Sequence, residues 1–104
     1  MLEKHLDQLL ACLDAPEIVG DAQVVVTSLT YDSRNVAGPG ALFAAFEGAR
    51  FDGRRFIGEA VQRGAGAVVV SRGRNVEVPE GVTVVRVPDT RHALGAIARE
   101  FYGD

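Results

Sequence analysis

Two polar segments of the 104-residue sequence contain residue types that could bind a ligand. The first is Thr30-Tyr31-Asp32-Ser33-Arg34, where hydroxyl, carboxylate and guanidinium groups follow a β-branched run. A serine hydroxyl can donate to or accept from a uracil carbonyl, a ribose or a phosphate. Ligands of α/β proteins gather beyond strand ends, because backbone groups are free there. The alternative is a plain turn in which Arg34 pairs with Asp32, and the spacing alone favours that turn.

The second segment is the glycine-flanked loop 48–53 with the residues that follow it. Glycine lets backbone N–H groups approach an anion closely, and the first turn of a following helix offers unpaired N–H groups. Phe51 could pack on a flat base. Positive charge comes from Arg50, Arg54 and Arg55. The alternative is a helix cap at Asp52 with solvated arginines, which the segment by itself favours.

Catalytic and metal-binding patterns are absent from the sequence. It has no H-E-x-x-H, no G-x-S-x-G and no P-loop pattern, and Lys4 is the only lysine. Ser33 has no adjacent histidine to activate it. Cys12 is the only cysteine, so it is interpreted as a small hydrophobic residue in a leucine-rich segment. We therefore predict no catalytic residue, no metal site and no ATP hydrolysis within this chain.

Composition and charge exclude other classes of partner. The chain is 47% apolar and 24% charged, with a net charge of −3, which is typical of a soluble globular domain. Duplex nucleic acid is not an expected partner, because phosphate neutralisation needs a concentrated basic face. No apolar run approaches the ~20 residues of a membrane span, and no secretory signal is present. The predicted location is the cytoplasm, with no membrane partner.

Three helices are expected to position the two segments. A leucine stripe predicts an amphipathic helix in residues 2–13, which Ala15-Pro16 ends. Asp52 is predicted to cap a second helix over residues 54–63, and Gly64 to end it. Asp89 is predicted to cap the last helix. The expected inward residues of the second and third helices are Phe56, Ile57, Ala60 and Val61, then Ala93, Leu94, Ile97, Ala98 and Phe101.

Four apolar runs predict strands, at residues 24–31, 41–46, 66–71 and 82–87. Strands and helices therefore interleave along the chain. This order predicts a single small α/β domain of three layers, in which helices flank a mostly parallel or mixed sheet.

Taken together, these residues resemble the first domain of the Mur ligases. The resemblance runs from about Leu29 to Tyr102. It depends on an ordered series with consistent spacing: Tyr31-Asp32-Ser33-Arg34, Gly38-Pro39-Gly40-Ala41-Leu42-Phe43-Ala44-Ala45, Gly48, Asp52-Gly53, Phe56-Ile57, Ala60 and Gly64-Ala65.

The resemblance implies a division of tasks in a three-domain, amide-forming ligase of peptidoglycan precursor synthesis. The first domain, here residues 1–104, would bind the UDP part of a UDP-N-acetylmuramoyl peptide. ATP and Mg²⁺ would bind the central domain, and the central and C-terminal domains would be the partners of this one. The residues implied to contact substrate are Tyr31, Asp32, Ser33, Arg34, Ala49, Arg50 and Phe51, and no catalytic residue is implied for this domain.

Two members of the family compete for the closest resemblance, and a third interpretation comes from another class. Thr30 to Arg34 and Phe101-Tyr102-Gly103 resemble MurE, which adds the third amino acid to UDP-N-acetylmuramoyl-L-alanyl-D-glutamate. Gly48 to Gly53 and Asp89-Thr90-Arg91 also resemble MurF, which adds D-alanyl-D-alanine. We favour MurE. The third interpretation is a non-catalytic α/β module for regulation or protein interaction.

Overall fold

A five-stranded mixed sheet forms the centre of the computed structural model, which describes residues 3–47, 52–73 and 76–103. The strands and helices in chain order are β1 (Lys4–His5), α1 (Leu6–Leu10), β2 (Glu17–Val19), β3 (Val25–Val26), β4 (Ser28–Thr30), β5 (Ala41–Ala44), α2 (Ile57–Gln62), β6 (Ala65–Ser71), β7 (Thr83–Val87) and α3 (Thr90–Tyr102). Short 3₁₀ helices cover Ser33–Asn35 and Gly53–Phe56.

The strand order in the main sheet is β2-β7-β6-β5-β4. Strands β4 to β7 are parallel to their neighbours, and β2 runs antiparallel to β7 at one edge. The parallel strands therefore end at the same edge of the sheet. Strand β6 is continuously apolar because both faces of the sheet are covered: its residues alternate between two hydrophobic clusters.

Helices cover both faces, which confirms the predicted α/β arrangement. Helices α1 and α3 pack on one face, and α2 packs on the other. The first cluster includes Leu6, Leu9, Ile97 and Phe101 packed with Leu42, Val69 and Val85. The second includes Ile57 and Ala60 packed with Phe43, Val68 and Val70. Among the described residues, no helix has the length and apolar character required to cross a membrane.

The first helix is shorter than predicted. It begins at Leu6, because Lys4–His5 pairs with Val25–Val26 as a separate two-stranded sheet. The backbone N–H of His5 donates to the Gln8 side chain at 3.1 Å, which closes the first turn. The leucine stripe nevertheless faces inward as predicted, since Leu6, Leu9 and Leu10 are buried.

The apolar run at residues 24–31 divides between the two sheets, so the prediction of one strand there was wrong. Its first part pairs with β1 and its last part with β5. Thr27 lies between them, and its backbone N–H donates to the Gly40 carbonyl at 2.8 Å. Strand Glu17–Val19 was not predicted, because it is short, follows a proline and gains its stability from pairing with β7.

The strands predicted at 41–46, 66–71 and 82–87 and the last helix lie close to their predicted positions. The helix predicted over 54–63 is instead a 3₁₀ helix at Gly53–Phe56 followed by α2. Asp89 caps α3 by accepting from the backbone N–H groups of Arg91 and His92 at 3.0 and 3.1 Å. Gly64 follows α2 with a φ of 112°. On α3 the residue buried in addition to Ala93, Ile97 and Phe101 is Ala96, whereas Leu94 and Ala98 are half-buried. Phe56 is 39% exposed instead of facing the core.

Candidate functional site

A cavity of about 550 Å³ lies where strands β4 and β5 end. Residues 31–34 line it directly after β4, and Phe43 and Phe46 line it from the end of β5. Phe56 contributes from the 3₁₀ helix before α2, Glu59 from the first turn of α2, and Arg91 from the first turn of α3. The volume lies within the ~300–1,000 Å³ range of small-molecule sites. The predicted turn Tyr31 to Arg34 therefore does line a cavity, at the strand ends where ligands of α/β sheets bind.

Aromatic rings form one wall of this cavity. The rings of Tyr31 and Phe46 stack with their centroids 5.0 Å apart and their planes 6° from parallel. Phe46 is almost buried, whereas Tyr31 is 57% exposed. The pair therefore presents a supported aromatic surface to solvent, on which a flat base could stack, because every base has a π face.

Ser33 is held by a contact that the sequence did not indicate. Its side chain is buried, and Oγ donates to Oε1 of Glu59 at 2.5 Å. This bond joins the 3₁₀ helix after β4 to the first turn of α2. Arg63 directly follows α2, and its Nε lies 4.0 Å from the same Glu59 oxygen. Glu59 was missed because one acidic residue on a helix is usually solvated.

Asp32 and Arg34 form the plain turn that the spacing favoured. Asp32 Oδ1 accepts from the backbone N and Nε of Arg34, both at 3.0 Å, and Oδ2 accepts from Nη2 at 2.8 Å. The Arg34 guanidinium, followed by its backbone N–H, lowers the pKa of Asp32 to about 2. The charge of Arg34 is thus matched by its own neighbour, although both residues line the cavity.

The same Asp-x-Arg turn recurs at the start of the segment leading into α2. Asp52 Oδ1 accepts from the backbone N and Nε of Arg54 at 3.0 and 2.9 Å. Arg54 Nε also lies 3.3 Å from Oε1 of Glu47. The N–H of Arg55 donates to the Asp52 carbonyl at 3.1 Å. The expectation of unpaired N–H groups at this helix start was wrong for these two residues, because Asp52 accepts from both.

A third Asp-x-Arg turn, Asp89-Thr90-Arg91, begins α3, and its guanidinium behaves differently. The Cζ of Arg91 lies 4.5 Å from the centroid of the Phe46 ring. Arg91 forms no ion pair within the ranges that the structure describes. It therefore brings an unmatched positive charge to the cavity. The sequence contained a signal for it, since the Asp-x-Arg pattern occurs after β4, after β5 and after β7.

Ala49, Arg50 and Phe51 lie outside the described residues, so their predicted contacts remain predictions. The described ends of their loop meet beside the cavity. Glu47 and Asp52 pair as an isolated bridge, and the N–H of Gly53 donates to the carbonyl of Phe46 at 2.6 Å. In the parts of the chain that are described, no three His, Cys, Asp or Glu side chains are grouped to hold a metal ion.

Comparisons with known proteins agree on one family. The model of the "Mur ligase family, catalytic domain" matches residues 25–102. The UDP-N-acetylmuramoyl-L-alanyl-D-glutamate--2,6-diaminopimelate ligase of Chlorobaculum tepidum is 43% identical, over 96% of this chain and 20% of that protein. The ligase of the same name from Aquifex aeolicus is 50% identical, over 75% of this chain and 15% of that protein.

A solved structure extends the likeness to three dimensions. The crystal structure of MurF from Acinetobacter baumannii superimposes with a TM-score of 0.77 at 25% identity, covering 94% of this chain and 21% of that one. The chain spans about a fifth of the length of the first curated relatives that it matches.

Proposed function

We propose that this chain, which belongs to the Mur ligase family, is the domain of such a ligase that holds the UDP end of UDP-N-acetylmuramoyl-L-alanyl-D-glutamate. The ligase activates the carboxylate of that peptide with ATP and joins it to an incoming amine, in the cytoplasm. The cavity beyond β4 and β5 is the proposed nucleotide site. The residues proposed to contact substrate are Tyr31, Asp32, Ser33, Arg34, Ala49, Arg50 and Phe51, to which we add Glu59 and Arg91.

The observation that carries this proposal is the chemistry of the cavity wall. The exposed ring of Tyr31 is backed by Phe46, and the unmatched guanidinium of Arg91 lies beside the same ring. Uracil stacks on an aromatic ring, and guanidinium groups bind phosphate oxygens in a bidentate manner. A nucleoside diphosphate has a flat base and a charged diphosphate, so it can use both kinds of contact within this one cavity.

UDP is remote from the carboxylate that reacts, so its binding serves to position the reactive end. Binding energy from a distant part of a substrate can align the reacting groups. Residues 1–104 contain one lysine and no P-loop pattern, the usual phosphate cradle of an ATP-binding domain. We assign ATP and Mg²⁺ to a central domain, which with a C-terminal domain would be the partner of this one.

MurF, the ligase that adds D-alanyl-D-alanine, is the second candidate, because the solved structures similar to this chain include MurF. The curated relatives at 43% and 50% identity favour the diaminopimelate-adding enzyme. An assay of the whole ligase with diaminopimelate, lysine and D-alanyl-D-alanine as acceptors separates these activities.

Calorimetry with UDP tests the proposed site through Arg91. The Arg91→Gln variant should bind UDP about tenfold more weakly, because one hydrogen bond to a charged group is lost. The matched control is Arg99→Gln, which makes the same charge change near the other end of α3 and should bind as the wild type does. Equal affinities of Arg91→Gln and Arg99→Gln would remove Arg91 from the site. No binding of UDP by the wild-type chain would instead favour the regulatory module.

A further inference from the structure

The Ser33 hydroxyl has only one proton, and that proton is already donated to Glu59. A hydroxyl carries one donor and two acceptor lone pairs, whereas an ionised carboxylate only accepts. The 2.5 Å contact between Ser33 Oγ and Glu59 Oε1 therefore requires the hydroxyl to be the donor. Hydrogen bonds of this charge-assisted kind are shorter and stronger than neutral ones. Ser33 is left with lone pairs alone to offer to the cavity.

We propose that Ser33 and Glu59 form a pair whose acceptors bind a hydrogen-bond donor of the nucleoside. The bound ligand is thereby oriented with its phosphates away from this pair, towards Arg91. The inference rests on the proposed nucleotide site and assigns an orientation within it. Both side chains of the pair present acceptors, so only an N–H or O–H group can bond to them. A phosphate offers acceptors and negative charge, so it gains no hydrogen bond from the side chain of Ser33 or Glu59.

The fold separates the two ends of this proposed site. Glu59 belongs to α2, which packs on one face of the sheet, and Arg91 belongs to α3, which packs on the other. Phe46 lies beneath Arg91, and the cavity extends from there to the Ser33–Glu59 pair. Arg34, the other described cation of the wall, is neutralised by Asp32. Positive charge without a partner is thus found at the Arg91 end.

Uridine has two kinds of donor that could face the pair. One is the imide N3–H of uracil, whose counterpart in cytosine is an acceptor. The other is a ribose hydroxyl. Both satisfy the same acceptors, so ligands altered at one donor at a time distinguish them. CDP, in which N3 is an acceptor and the amino donor is at C4 instead, tests the base, and 2′-deoxy-UDP and 3′-deoxy-UDP test the sugar.

Calorimetry of these four diphosphates with three proteins is the test: wild type, Ser33→Ala and Glu59→Gln. In the wild type, one donor-lacking ligand should bind at least about tenfold more weakly than UDP, the span expected for a hydrogen bond to a charged acceptor pair. Ser33→Ala should remove most of that difference, as coupled groups do in a double-mutant cycle. If the base supplies the donor, Glu59→Gln should also reduce the ratio of the affinities for UDP and CDP. The glutamine amide N–H can donate to Ser33 Oγ, which leaves the hydroxyl proton free to donate to a ligand acceptor.

The outcomes separate this inference from the proposed function. If UDP binds and neither Ser33→Ala nor Glu59→Gln changes any ligand ratio, the role of the pair in binding a ligand donor is overturned while the nucleotide site stands. If UDP does not bind to the wild-type chain, the proposed site and the inference fail together. Glu59→Gln keeps the shape of the side chain, and thermal unfolding of each variant confirms that the comparison is made between folded proteins.

Discussion

At the scale of single residues, the Asp-x-Arg pattern occurs three times, and its arginine takes one of two positions. Asp32, Asp52 and Asp89 each accept from the backbone N–H two residues later and so begin a helical turn. In the first two turns the arginine also returns to its own aspartate. In the third, the guanidinium lies over Phe46, because an aromatic ring is within reach there and attracts a cation. The pattern predicts the turn, whereas the neighbouring elements decide where the charge goes.

The pKa of Asp32 provides a test of the first turn. Replacing Arg34 with Gln should raise the Asp32 pKa from about 2 towards 3.8, since the guanidinium that stabilises the carboxylate is removed. NMR titration of the carboxyl carbon measures this shift, and Arg54→Gln, whose partner is Asp52, is the matched control. Because the folded pKa lies below the unfolded value, the pair stabilises the fold above about pH 4, and its contribution disappears as the pH falls towards 2. An Asp32 titration midpoint that is the same in Arg34→Gln and in the wild type would contradict the pairing of Asp32 with Arg34.

At the scale of elements, the turn from α2 into β6 depends on a close approach of two backbones. Gly64 has a φ of 112°, and a Cβ at this position would lie 2.7 Å from the carbonyl carbon of Gly38. The N–H of Gly38 in turn donates to the Arg63 carbonyl at 3.1 Å. This contact ties the end of α2 to the connection between β4 and β5, and so helps to place Glu59 opposite Ser33.

Gly64→Ala should therefore lower the free energy of unfolding by at least about 2 kcal/mol, from left-handed strain and the backbone contact together. The matched control is Gly95→Ala in α3, where a Cβ would meet no atom within 4 Å. That exposed helical site should gain about 0.5–1 kcal/mol, because alanine is favoured over glycine within a helix. Urea denaturation of the two variants measures both effects, and a Gly64→Ala protein as stable as the wild type would contradict the backbone argument.

At the scale of the whole molecule, the parallel sheet gathers distant segments at one edge. Strands β4 and β5 both end there, and α3 begins there after β7. Tyr31, Phe46 and Arg91 thus meet in one cavity although they are far apart in the sequence. The described residues that line the cavity all belong to this chain, so nucleotide binding in this cavity is proposed to be separate from bond formation in another domain.

This separation predicts that the chain binds UDP without hydrolysing ATP. Residues 1–104 lack the P-loop pattern, in which a glycine-rich turn, a lysine and Mg²⁺ hold the phosphates of ATP. A phosphate-release assay measures hydrolysis, with UDP calorimetry on the same sample as the control for correctly folded protein. ATP hydrolysis that rises in proportion to the concentration of purified chain would contradict the proposed division of tasks.

Several features were predictable from the sequence because their causes are local. Apolar runs predicted β5, β6 and β7, and the capping aspartates at positions 52 and 89 predicted where helical segments begin. The turn of Asp32 with Arg34 was also favoured by spacing alone. The turns depend on neighbours within a few residues, and the strands are marked by short apolar runs, although their pairing partners are distant in the sequence.

Strands β1 and β2, the division of residues 24–31 between two sheets and the chemistry of the cavity were decided only by the tertiary structure. Strands β1, β2 and β3 are too short to be stable alone, and they exist because distant partners satisfy their backbone groups. Ser33 bonds to Glu59 across 26 residues of sequence, and Arg91 finds Phe46 from another strand end. Residue types and spacing therefore determined the local turns and apolar runs. The hydrogen bond from the Ser33 hydroxyl and the position of the Arg91 charge depended on how the sheet brought those turns together.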